Sequence, residues 1–375
     1  MTTIRHYRQP VRAMAGTLGK PIGVGLVVLL LACTASGCCC AWTNKGDQPK
    51  TGGAGIGDPT QAGKKDDVKE PVARLTAELG KDGDARKIDK VFLSRDGRRM
   101  AITNGPSPSS KAQIWDISAG PKKLHELEGR IEAISPDGKK VIQAKKDGRF
   151  LVNADAGTSI APIGPTGFVF FQSNSTVWTV NLFLGAKSQK KLAVVSYDPA
   201  GKKGKELEFD NKSDRFAGAN EKGEVFFVST SDVQVWDASA EKWTRKLTLK
   251  PDAGETILLD VPFAVSPDGK WLMANAGKGT FDPAIFDLST GTGTKIPKQV
   301  FHPHNPVFVP ERDLLMGSKS AGTKKYQAVA FDAKANAIVA TYGTVESIST
   351  LAVSADGSRL AAGTWEGEVA IWDLR

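Results

Sequence analysis

An aromatic residue followed directly by aspartate recurs along most of this 375-residue chain, at Trp115-Asp116, Tyr197-Asp198, Trp236-Asp237, Phe286-Asp287, Phe331-Asp332 and Trp372-Asp373. Ala154-Asp155 fills the single gap, which makes seven copies separated by 39, 43, 39, 50, 45 and 41 residues. A period near 40 to 45 residues marks an array of small supersecondary units, and one such unit cannot cover its own apolar faces. A second signal keeps the same phase. Ser94-Arg95-Asp96-Gly97, Ser135-Pro136-Asp137-Gly138, Ser266-Pro267-Asp268-Gly269 and Ser354-Ala355-Asp356-Gly357 each open 18 to 21 residues before an Asp-containing pair. Asp in such a bend accepts hydrogen bonds from nearby amides and Gly takes the positive φ of a tight turn, so each tetrad reads as a hairpin between two strands. The flanking segments, such as LAV before and RLAAGTW after the last tetrad, have strand character.

Taken together, these residues resemble the WD-repeat β-propeller family over about residues 72 to 375. The final copy, LAVSADGSRLAAGTWEGEVAIWDLR, is the closest match. The resemblance implies an all-β fold: a seven-bladed β-propeller of four-stranded antiparallel blades. Copies two, three and six are degenerate, and the family's Gly-His dipeptide is absent. His302 stands near that position in copy six but follows Phe301. The chain ends at Arg375, just after the third strand of the last copy. The segment Pro71 to Leu79, PVARLTAEL, is predicted to pair with Val369 to Leu374 as the missing strand and close the ring.

The N-terminus reads differently. Arg5, Arg8, Arg12 and Lys20 precede the apolar run PIGVGLVVLLLAC, the layout of a secretory signal over residues 1–32. A signal-anchor helix is the alternative, since the uncharged stretch as far as Trp42 approaches the ~20 residues that span a bilayer. Leu30-Leu31-Ala32-Cys33 and Ala35-Ser36-Gly37-Cys38 both resemble a bacterial lipoprotein processing site; Cys33 is taken as the lipid attachment point, with Cys38 as alternative. Several acyl chains on one terminus would hold the protein at a membrane. Residues 33–70 then form the lipidation region and a polar linker, whose 28 residues from Thr43 span roughly 30 Å as a flexible coil. Removing residues 1–32 takes away four basic residues and no acidic one, which lowers the net charge from +9 to +5. The basic balance therefore gives no support to nucleic-acid binding.

Composition narrows the chemistry. All four cysteines lie at or before position 40, so the repeat region has no thiol for a disulfide, a nucleophile or a zinc finger. No phosphate loop, nucleophile elbow or zinc-helix motif occurs, and neither a metal nor a cofactor is expected. Trp115, Trp236 and Trp372, with Tyr197, Phe286 and Phe331, are read as blade packing. Asp116, Asp198, Asp237, Asp287, Asp332 and Asp373 are read as turn formers rather than as catalytic carboxylates. The candidate partner-binding rim is His302, His304, Trp365 and Glu366. The expected function is that of an exported, membrane-tethered and non-catalytic interaction module, monomeric, with a protein or other macromolecule as partner. A propeller hydrolase or lactonase with a metal at the channel mouth, and a structural cell-envelope spacer, are the alternatives.

Overall fold

The computed structural model describes residues 68–375 apart from 78, 80–86, 106, 165–166, 185–189, 211–214, 221, 252–254, 259–262, 278–281, 297–301 and 311; for 182–184, 190 and 302–305 it describes the backbone alone. Cys33 and Cys38, with the whole signal and most of the linker, lie outside the described residues. Every regular element among the described residues is a strand. They form seven antiparallel sheets, over 90–128, 130–163, 168–210, 215–248, 256–295, 302–346 and 348–373, here called blades one to seven. In each the chain steps from an inner strand outward. Blade five departs slightly: its inner strand is split into Thr256–Leu258 and Ala264–Val265, both paired with Trp271–Gly277.

Period-two alternation gives each strand two apolar sides, and the core shows where they go. Met100 and Ile102 of blade one pack with Ala361, Val369 and Ile371 of blade seven, whereas Ala101, between them, packs with Ile131 and Val141 of blade two. The described residues form seven hydrophobic clusters, and each is shared by two neighbouring blades. One of them joins blade seven to blade one, so the sheets close into a ring: the all-β seven-bladed propeller that the repeat implied.

The aromatic position of the repeat explains itself in this arrangement. Trp115, Tyr197, Trp236, Phe286, Phe331 and Trp372 each fill the seam toward the preceding blade. In blade two the register corrects the sequence reading. Trp115 pairs with Met100 and Asp116 with Arg99, and the equivalent pairs in blade two are Val152 with Val141 and Asn153 with Lys140. The copy in blade two is therefore Val152-Asn153, two residues before Ala154-Asp155.

Ring closure follows the expected route and adds a contact. Ala73–Thr76 pairs antiparallel with the third strand of blade seven, Ala73 opposite Ile371 and Thr76 opposite Glu368. Just before it, Lys69 forms a parallel bridge to Tyr342 on the outer strand of blade six, and its carbonyl accepts the indole N–H of Trp372 at 3.1 Å. The closing segment thus ties blade six to blade seven as well as completing the latter.

Candidate binding face

Strand direction divides the ring into two faces. The turn face carries the turns from first to second and from third to fourth strands. The connection face carries the turns from second to third strands and the crossings between blades.

The turn face is fastened by its own residues. In all four Ser-x-Asp-Gly tetrads the serine hydroxyl donates to the aspartate two positions on, at 2.6–2.7 Å, and accepts the amide that opens the next strand, at 2.9–3.0 Å. Burial raises the pKa of Asp137, Asp268 and Asp356, but the hydrogen bonds these carboxylates accept outweigh it and hold all three below the usual range. The repeat aspartates end the third strands in the same way: Asp116, Asp198, Asp237, Asp287 and Asp332 accept the amide two residues later at 2.7–2.9 Å, and Asn153 does so for Asp155. Asp373 instead lies 3.4 Å from Arg359. Neighbouring turns are clasped to each other. Arg99 reaches Asp155 of blade two at 2.9 Å, Arg359 donates to the Ile117 carbonyl of blade one, and Trp271 donates to Asp313 of blade six at 2.7 Å. Gln172 donates to Ser239 of blade four at 2.8 Å, and Arg312 to the Leu374 carbonyl of blade seven at 3.2 Å.

The connection face is built differently. Trp365, in the tight turn of blade seven, is 42% exposed, and the Lys87 ammonium sits 3.3 Å from the centre of its ring. Beside it an open cleft of about 310 Å³ is lined by Tyr326, Ser347, Ile348 and Trp365. Glu366 follows in the same turn and is exposed. His302 opens the strand His302–Val309 of blade six, opposite Ser318, and so stands on the same face, with His304 two residues on; the side chains of both lie outside the described part. The four rim candidates therefore share one face of blades six and seven. Among the described residues no group of three or more His, Cys, Asp and Glu is placed to hold a metal ion.

Sequence reasoning missed a second sector, at the inner-strand ends of blades two to four. Phe168, the first residue of blade three, is 46% exposed and stacks on Phe216 of blade four with ring centres 4.2 Å apart and planes 19° from parallel. Directly before it, the Gly167 carbonyl accepts Nη2 of Arg149 at 2.6 Å, and Arg149 also grips Glu132. One signal was available: Arg149 stands at an inward position of GRFLVN, where a charge demands a partner. That partner lies 17 residues away on another strand and is invisible to local pattern. No protein-family model and no curated protein matches this chain.

Proposed function

We propose that the protein is a non-catalytic, WD-repeat-like interaction module, exported and tethered to a membrane through its N-terminus, which binds a protein partner on the connection face. One observation carries this reading. Among the described residues the two most exposed aromatic side chains, Phe168 and Trp365, both lie on that face, while the turn face spends its polar groups on its own turns and seams. Exposed aromatic rings on a rigid frame supply contact area at little entropic cost, which suits recognition. The lipoprotein-like Cys33 and the polar linker would present the ring to envelope or extracellular partners.

A photocrosslinking amino acid placed at Trp365, and in a separate variant at Lys202 on the turn face, tests the assignment in cells. Discrete crosslinked species from position 365 and none from 202 is the expected result; equal or absent crosslinking from both removes the basis of the reading. The tether is tested in parallel, since Cys33→Ser should abolish incorporation of a labelled fatty acid.

A further inference from the structure

Asn104-Gly105 is the one Asn-Gly pair in the sequence. It opens the turn between the second strand of blade one, Arg99–Thr103, and the third, Lys111–Asp116, on the connection face. An asparagine followed by glycine is prone to cyclise, because the next residue carries no Cβ to hinder attack by its amide nitrogen. Both residues are partly exposed, and among the described residues the Gly105 N–H meets no acceptor. The Asn104 side chain, by contrast, is engaged at both polar atoms. Its Nδ2 donates to the Leu79 carbonyl at 3.2 Å, and its Oδ1 accepts the Lys111 amide at 2.6 Å. Leu79 ends the closing segment: it is 1% exposed and packs in the seam between blades seven and one. Two residues earlier, the Ala77 amide donates to the Gly367 carbonyl of blade seven at 2.8 Å. The amide of Asn104 therefore fastens the closing segment to blade one.

We propose that Asn104 is a site of spontaneous deamidation coupled to ring closure, an inference that goes beyond the binding-module reading and does not depend on it. The Gly105 nitrogen bonds to Cγ of Asn104 and gives up its proton through solvent to the departing amide. The Cγ–Nδ2 bond breaks and ammonia leaves. Water then opens the five-membered ring to aspartate or isoaspartate; nothing is oxidised or reduced, and water is the sole co-reactant. Cyclisation has to break the bond to Leu79, so a seated closing segment protects the amide and a lifted one exposes it. After conversion a carboxylate oxygen stands where the donor was and faces the Leu79 carbonyl, so attraction becomes repulsion. The change is one-way: a chain whose closing segment has lifted is marked, and it holds that segment less firmly afterwards.

Peptide mapping by mass spectrometry, on the full chain kept in mildly alkaline buffer, follows the conversion of each asparagine. Asn104 should convert ahead of Asn174, which precedes Ser175, and of Asn153, which precedes Ala154. In urea its conversion should speed up about five- to thirtyfold, the factor that one or two lost hydrogen bonds represent. Gly105→Ala, compared in urea where the fold plays no part, should suppress it. Asn104→Asp stands in for the aspartate product: hydrogen exchange at the Ala77 amide should quicken and the melting temperature should fall. Asn104→Ser, which removes the amide donor without adding a charge, should lie between that variant and the parent chain. If Asn104→Asp does not fold, the aged parent chain, separated from its unconverted form by ion exchange, gives the same exchange measurement. Conversion at Asn104 no faster than at Asn174 overturns the site. Conversion as fast in the folded chain as in urea, or Ala77 exchange unchanged by the new carboxylate, overturns its coupling to closure.

Discussion

Gly129 shows how a single residue is dictated by its neighbours. Its φ is +97°, and a Cβ there would stand 2.4 Å from the Ala144 carbonyl oxygen. Gly120 also has a positive φ, +131°, but faces open space. Gly129→Ala should therefore cost about 2–3 kcal/mol and Gly120→Ala about 1, a difference that denaturant titration resolves. The carboxylates make a second residue-scale prediction. Hydrogen bonds from Ser118 hold Asp116 below the ordinary carboxylate range, those from Ser289 do the same for Asp287, and those from Lys334 and Trp271 for Asp313. A depressed folded-state pKa stabilises the fold above the unfolded value near 4 and ceases to do so as pH falls through the folded value. Melting temperature should be flat from neutral pH to about 5 and drop below about 4; a fall centred near pH 6 would contradict this. The turn role of the aspartates was legible because Asp two residues before an amide is a local relation. The identity of blade two's copy was not, since Val152-Asn153 lacks both signature side chains and only cross-strand register reveals it.

Among the elements, the closing strand Ala73–Thr76 bears the most consequence for its length. It supplies the outer ladder of blade seven, and Leu75, Ala77 and Leu79 add side chains to the seam with blade one. Deleting residues 68–79 would expose these apolar surfaces and leave the Trp372 indole N–H without its acceptor. The expected outcome is a large fall in melting temperature with binding of a hydrophobic dye; an unchanged melt would disprove the closure. By contrast the exposed Arg74–Glu368 pair at 2.8 Å should contribute less than about 1 kcal/mol, because solvent screens it. The strand could be anticipated from the alternating pattern of PVARLTAEL just ahead of the first copy. Its further bridge to Tyr342 could not, because that contact depends on how the sixth outer strand lies beside it.

At the scale of the whole molecule, each apolar cluster belongs to two blades, so no blade is complete alone. A fragment holding only residues 68–210 should fail to show a cooperative melt, as judged by calorimetry, whereas the full chain should melt in one main transition. The shared clusters hold the frame together from within, and the connection face carries exposed rings at Phe168 and Trp365. The sequence by itself determined the number of blades, the strand class and the turn role of the repeat aspartates, because hydrophobic period and turn chemistry act over a few residues and repeat. Only the tertiary structure decided which charges and rings meet. Arg149 with Glu132, Phe168 with Phe216 and Lys87 with Trp365 are brought together by packing between strands or blades, and their proximity is a property of the closed ring rather than of any local stretch.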